Sequence, residues 1–308
     1  MSYENMKKFI KIKEFLRKLY QKKGIRFAIY SLMILGIPFA GAYAHFVEPR
    51  RISITKLRIP IKKLPKPFHR FKIIQISDLH FGPTNKSISF LEKCIRKMNE
   101  LKPDIVAMTG DFMQWDSHHA KPLAQILSKI KSTFGLFAIL GNHDYGVCHK
   151  GHPATDPVNH KEVIDAFEAH KIQVLHNKKI ILEKDGHKIN VAGLGDFWTE
   201  HFKLADVLKK KHEQDHPTIL LSHNPDSIDE LKDYFFDLML SGHVHGGQIN
   251  FPFIGPLTVP VKHRHLRRGL HHVHNRWIYT NRGLGHIFKA RFNSLPEITC
   301  MELVESTG

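Results

Sequence analysis

Residues Lys72–His80, KIIQISDLH, carry a short apolar run straight into an aspartate and a histidine. An apolar run of this length, closed by polar residues, reads as a buried strand. The same event recurs four times downstream. Ile105–Met108 (IVAM) leads to Thr109-Gly110-Asp111, and Leu136–Leu140 (LFAIL) to Gly141-Asn142-His143-Asp144. Thr218–Leu221 (TILL) leads to Ser222-His223-Asn224, and Leu238–Leu240 (LML) to Ser241-Gly242-His243-Val244-His245. In open α/β sheets, residues at the carboxyl ends of neighbouring strands converge in one crevice. The five ends therefore predict that Asp78, His80, Asp111, Asn142, His223, His243 and His245 meet. One such match is weak in a chain with 24 histidines, but five in sequence are specific.

Between these runs, Ser87–Glu100, Pro122–Lys131 and Lys161–His170 carry helical periodicity. Asp185-Gly186 separates the strand-like runs Lys179–Glu183 and Lys188–Ala192, a hairpin signal. Trp277–Asn281 and Glu297–Leu303 add strands near the end of the chain. The expectation is an α/β domain with sheet packed on sheet and helices outside. Three widely spaced cysteines, Cys94, Cys148 and Cys300, exclude a disulfide scaffold.

Imidazole, carboxylate and carboxamide donors without cysteine suit manganese, iron or zinc. Seven donors exceed one tetrahedral site. Two divalent cations about 3.5–4 Å apart, sharing one carboxylate, would use them all and would clamp a phosphoryl group.

These blocks, D-x-H, G-D, G-N-H-D, a lone His and G-H-x-H, resemble the calcineurin-like metallophosphoesterase family, in order from Asp78 to His245. The resemblance implies a four-layer αββα sandwich and two divalent metal ions, manganese foremost, with iron or zinc as alternatives. It implies one cation on Asp78, His80, Asp111 and His245, and another on Asp111, Asn142, His223 and His243, with Asp111 bridging. His143 would face the scissile phosphate as acid or electrostatic stabiliser. Asp144 would orient His143 through a ring nitrogen.

The charge of +17 invites a nucleic-acid reading, but its distribution opposes one. Residues 1–72 carry 18 Lys or Arg and 3 Asp or Glu, whereas residues 73–308 carry 28 and 26. The nearly balanced main domain offers no phosphate-tracking stripe, so nucleic acid is not expected as a partner. The excess lies beside Phe27–Val47, 21 residues without Asp, Glu, Lys or Arg. That length could just cross a bilayer. Upstream, Phe9, Ile12, Leu16 and Leu19 form an apolar stripe, with Lys7, Lys8, Lys11, Lys18 and Lys22 mostly off it. Such a helix suits an anionic headgroup region. The expectation is an N-terminal membrane-anchoring helical segment over 1–50, a Pro/Lys-rich linker over 51–70, and the phosphoesterase domain over 71–308. Competing readings are a solvated helix followed by a core helix, a signal peptide cleaved after Ala42-Tyr43-Ala44, and a segment dipping into one leaflet.

The apolar N-terminal stretch, EPRR (48–51) and IPIKKLP (59–65) resemble the membrane-attached branch of the family. VLHN (174–177), VAGLGDFW (191–198), LSHNPDSI (221–228), YTNRGLG (279–285) and RFNSLPEIT (291–299) resemble one member class in it, the UDP-2,3-diacylglucosamine pyrophosphatases of lipid A synthesis. The resemblance implies a nucleotide-sugar lipid substrate cleaved to UMP and 2,3-diacylglucosamine 1-phosphate at the cytoplasmic face of the bacterial inner membrane. No obligate protein partner is implied. A general phosphodiesterase or a cell-wall phosphoesterase is the alternative, and a metal-free protein-binding scaffold is opposed by the intact donor set. In the His- and Arg-rich stretch Lys262–Arg276, Arg264, Arg267 and Arg268, with Arg282 beyond it, are candidate diphosphate contacts. The plainer reading is a solvated basic hairpin. The apolar segment Phe251–Val261 is either core or a lipid-facing loop.

Overall fold

The computed structural model describes residues 6, 11, 13–14, 18, 20–31, 34, 36–82, 87–114, 116–152, 158–205, 207–210, 216–256 and 258–306. The chain divides into two units, Met1–Val47 and Glu48–Gly308.

In the first unit, helix α1 spans Lys23–Ser31 and helix α2 spans Ile37–Ala42, followed by a π-helical turn over Tyr43–Val47. Phe27, Ile34, Ile37 and Phe39 are all exposed. Among the described residues no helix is long and apolar enough to cross a membrane. Pro38 sits in the first turn of α2, where a new helix tolerates it. The stripe Phe9, Ile12, Leu16 and Leu19 lies outside the described residues.

The second unit is a mixed α/β fold built on two six-stranded sheets. The first sheet has the order β1-β14-β2-β3-β4-β5. Its strands are β1 (Ser53–Ile61), β2 (Lys72–Ile76), β3 (Ile105–Thr109), β4 (Gly135–Ile139), β5 (Ile172–Val174) and β14 (Glu297–Glu305). The second sheet has the order β12-β13-β9-β8-β7-β6. It contains β6 (Lys178–Lys184), β7 (His187–Gly193), β8 (Thr218–Leu221), β9 (Leu238–Ser241), β12 (Gly269–Val273) and β13 (Arg276–Thr280). A small hairpin pairs β10 (Asn250–Phe251) with β11 (Gly255–Pro256). Strands β2, β3 and β4 run parallel side by side, as do β7, β8 and β9.

The period-two alternation of each strand assigns its faces. Ile73, Ile105, Ala107, Phe137 and Ile139 share a core with Ile219, Leu221, Leu238 and Leu240, so the two sheets pack face to face. Ile74, Ile76, Val106, Met108 and Ala138 point the other way. They pack under helices α3 (Ile88–Glu100), α4 (Ala120–Leu127) and α5 (His160–Ala169). Ser87 caps α3 by accepting from the Phe90 N–H at 3.2 Å. On the outer face of the second sheet, Leu220, Met239 and Ile278 meet Ile228, Leu231, Phe236 and Leu266. Among the described residues that layer consists of 3-10 turns and irregular segments.

Residues 51–70 are not a free linker. Ser53–Ile61 form β1, which pairs in parallel with β14 along its length, and Phe68 is fully buried. The boundary also moves, because the buried Glu48 accepts from the Ser294 N–H at 2.6 Å within the second unit. The Asp185-Gly186 hairpin forms with both residues at positive φ, 50° and 76°, as a two-residue turn of the primed type requires. The stretch Lys262–Arg276 folds as a 3-10 turn, Arg264–Arg267, and then β12 leading into β13.

Candidate metal centre

The five strand ends meet. Asp78 and His80 follow β2, Asp111 follows β3, Asn142 to Asp144 follow β4, His223 follows β8, and His243 and His245 follow β9. Beneath them, the Gln75 side-chain amide of β2 donates to Thr109 Oγ1 at 3.0 Å and across the sheets to the Ser241 carbonyl at 2.9 Å. This fixes the depth of one set of loops against the other.

Two donor groups share the site. In one, His80 Nε2 lies 2.9 Å from His245 Nε2, and His245 Nε2 lies 3.5 Å from Asp78 Oδ1. In the other, His223 Nε2 lies 3.1 Å from Asp111 Oδ2, and His243 Nδ1 lies 2.9 Å from Asn142 Oδ1. Asp111 Oδ2 is also 3.6 Å from His80 Nε2, so this carboxylate stands between the groups. His223 Nδ1 is 2.6 Å from the Thr109 carbonyl, which fixes that nitrogen as the donor and turns Nε2 toward Asp111.

The backbone is shaped to the same end. Asp78, His80, Asp111, His243 and His245 all have positive φ, between 42° and 70°. This left-handed region is uncommon for residues with side chains, and its clustering marks sites where the surroundings hold a strained geometry. Gly110 has φ +88°, and a Cβ there would fall 2.8 Å from His223 Nδ1. Only a glycine lets these loops close this tightly.

Burial governs the charges. It pushes the Asp78 carboxyl up to about 7 and the His243 imidazole down to about 3, and it holds His80 and His245 well below the usual histidine range. Against the opposing pull of burial, His223 and His143 hold Asp111 well below the usual carboxylate range. Burial would also lower His223 and His143, but the Asp111 carboxylate outweighs it. His223 rises to about 10, and His143, helped by the Cys148 side chain, rises to about 9.

A metal fits this donor set. Asp78 Oδ2 and His223 Nε2 are buried without a hydrogen-bond partner. Such atoms are costly unless something binds them. Asp78, His80 and His245 form one group with ligand atoms within 4.8 Å of one another, Asp111, His223 and His243 another, and His80, Asp111 and His143 a third that joins them.

The expected contact between Asp144 and the His143 ring is absent. Asp144 Oδ1 accepts from the Phe112 and Met113 N–H groups, each at 2.8 Å, and Oδ2 accepts from the Gly141 N–H at 2.9 Å. The carboxylate thus ties the β3 loop to the β4 loop, while His143 Nδ1 has no hydrogen-bond partner. Burial and the Asp111 charge push Asp144 up to about 7 against those backbone donors.

The four arginines differ. Arg282 pairs with Glu297 at 3.1 Å, Arg268 Nη1 donates to the Asn293 carbonyl at 3.2 Å, and Arg267 Nη1 donates to the Arg264 carbonyl at 3.3 Å. Arg264 is exposed.

Three residues escaped the reading of strand ends. Trp198, past the end of β7, sets its ring edge-on to His243, with centroids 4.4 Å apart. Asp196 beside it is fully buried, with Oδ2 unpartnered, and burial pushes it up to about 6. Arg291 is fully buried, donates to the carbonyls of Arg282, Gly283, Gly285 and Ser294, and places Nη2 3.4 Å from His245 Nδ1. Extending the strand-end rule to β7 would have found the first two. No local pattern marks Arg291.

Strand order and donor set together define a metal-dependent hydrolase of phosphoric esters. The chain belongs to the calcineurin-like phosphoesterase family, whose pattern it matches over residues 71–247. It is 33% identical over 305 residues to a protein of Chlamydia muridarum named UDP-2,3-diacylglucosamine pyrophosphatase LpxG, covering 84% of this chain and 91% of that protein. It is 31% identical over 264 residues to phosphodiesterase YaeI of Escherichia coli, covering 85% and 92%. The metallophosphoesterase YkuE of Bacillus subtilis is 30% identical over 296 residues, covering 94% and 99%.

Proposed function

We propose that this protein is a membrane-associated, two-metal pyrophosphatase that hydrolyses UDP-2,3-diacylglucosamine to UMP and 2,3-diacylglucosamine 1-phosphate. The observation that carries this reading is the likeness to the C. muridarum protein of that name over 84% of the chain. The exposed apolar residues of the first unit and the basic composition around them suit attachment to the cytoplasmic leaflet of a bacterial inner membrane.

Asp78, His80, Asp111 and His245 would hold one divalent cation, and Asp111, Asn142, His223 and His243 the other. Manganese is the leading candidate for both sites. Bound there, the cations would supply neutralisation of the diphosphate oxygens and a water acidified for attack. His143, held by its backbone N–H on Asp111 Oδ1 at 2.9 Å, would give its ring proton to the leaving oxygen. Asp144 braces the loop that carries His143. Arg264 and Arg268 remain candidate diphosphate contacts, whereas the guanidinium of Arg282 already serves Glu297.

The test is release of UMP from UDP-2,3-diacylglucosamine by purified protein with Mn²⁺. A broader phosphodiesterase is the second reading, favoured by the likeness to the E. coli phosphodiesterase. Hydrolysis of a simple phosphodiester with no UMP release would select it.

A further inference from the structure

Close to the metal ligands, two loops present apolar side chains to solvent. The β10–β11 hairpin begins five residues after His245. Its tip holds Phe253, fully exposed, and Ile254, 80% exposed, with Phe251 also exposed at the end of β10. The second loop carries the exposed Ile287 and Phe288, and it starts beside Asp78, whose carbonyl accepts from the Gly285 N–H at 2.7 Å. Gln248 joins the loops. Its side-chain amide donates to the carbonyls of Phe288 at 2.8 Å and Ala290 at 3.0 Å, and its carbonyl oxygen accepts from the Ile287 N–H at 3.2 Å. The Asn250 N–H donates to the Phe292 carbonyl at 2.8 Å, adding a second tie. The apolar residues thus form one patch on a braced base.

Two features indicate what covers the patch. The exposed Lys289 directly follows Phe288, and neither loop carries an Asp or Glu, residues 238–296 having none. The loops are therefore suited to an anionic partner. Phe253 also has φ +66°, a conformation that a bulky side chain rarely adopts, and it packs on nothing. An exposed aromatic held at a strained loop tip beside a site suggests a use there.

We propose that these two loops dock the catalytic unit on an anionic lipid bilayer, with Phe253, Ile254 and Phe288 entering the acyl region and Lys289 facing the headgroups. Apolar wedges beside a cation partition at such surfaces through both burial and charge. This is a second contact, separate from the N-terminal unit, and it would bring the metal centre to the level at which an acylated diphosphate leaves the membrane. It rests on the lipid substrate proposed above only for its purpose, so the test uses no substrate.

The experiment places tryptophan at the tip of the full chain, Phe253→Trp, and mixes it with vesicles of phosphatidylglycerol, plain or brominated along the acyl chains. The emission added relative to wild type should shift to the blue on plain vesicles and be quenched on brominated ones. Phe253→Ser combined with Ile254→Ser should weaken sedimentation with vesicles about tenfold or more, from the lost apolar burial, while hydrolysis of a water-soluble phosphodiester stays unchanged. Emission that stays water-like while the chain sediments with vesicles would place attachment elsewhere and overturn the proposal. Failure of the chain to sediment at all would also overturn it. A lipid-independent blue shift that grows with protein concentration would assign the patch to a second copy of the chain. Because UMP release is not measured, failure here and failure of the substrate assignment are separate results.

Discussion

The backbone N–H of His243 donates to Asp78 Oδ1 at 2.9 Å, joining two ligand-bearing loops that belong to different sheets. Asp78 Oδ1 therefore has two tasks: it braces the His243 loop, and it lies 3.5 Å from His245 Nε2 in the donor group. Asp78→Asn keeps an acceptor for the brace and removes the charge. It should leave the metal-free fold within about 1 kcal/mol of wild type and lower metal affinity. Asp78→Ala leaves the His243 N–H without its acceptor and should cost about 1–3 kcal/mol more in chemical denaturation. Equal stability of the two variants would show that the brace contributes nothing.

Asp111 stands between the two donor groups, so Asp111→Ala should release both metals in elemental analysis and reduce hydrolysis to background. His143 lies in neither proposed ligand set. His143→Ala should keep two metals per chain and lower kcat by about 10²–10⁴, the range of a positioned proton donor. Loss of metal from the His143 variant would reassign it as a ligand.

Asp144 accepts from three backbone N–H groups on two loops. Asp144→Ala leaves these buried donors unsatisfied and should cost about 3 kcal/mol or more, measured as a lower Tm in chelator. If the carboxylate instead acted by turning the His143 ring, the Tm would hold and the pH–rate profile alone would move.

The strand-end pattern made the core of the site legible because parallel strands carry their following residues to one edge whatever the intervening chain does. Each ligand-bearing run, from KIIQIS to LML, is a buried strand. What the sequence hides is pairing at a distance. In β1, SITKLRIPI, lysine, arginine and Pro60 alternate with apolar residues and read as a linker. The segment is an edge strand, where proline is tolerated, and its partner β14 lies at the far end of the chain. The Asp144 contacts are hidden for another reason. Adjacency to His143 suggests a side-chain pair, but the 3-10 turn Asn142–Tyr145 swings the carboxylate back onto the N–H of Gly141. The apolar run after His245 is ambiguous in sequence because exposure of Phe253 and Ile254 depends on the hairpin that lifts them.

A histidine cluster outside the ligand set gives a pH prediction. His176, half-buried, packs its ring 5.4 Å from His201 and 6.0 Å from His160 and Tyr145. Burial, then the neighbouring His201 and His160, lower His176 from 6.5 to about 4. The folded chain therefore binds this proton less readily than the unfolded chain. Between about pH 6.5 and pH 4 the unfolded state carries more protons, and stability falls as the pH falls. Above pH 6.5 both states are neutral at this position, and the contribution is present in full. A tenfold loss of proton affinity on folding is worth about 1.4 kcal/mol, and partial exposure of the ring limits the whole effect to about 1–2 kcal/mol. Denaturation of wild type and His176→Gln in chelator should give stability curves that converge by about this amount as the pH drops from 7 to 4.5. Curves that stay parallel over that range would mean that His176 titrates normally in the folded chain.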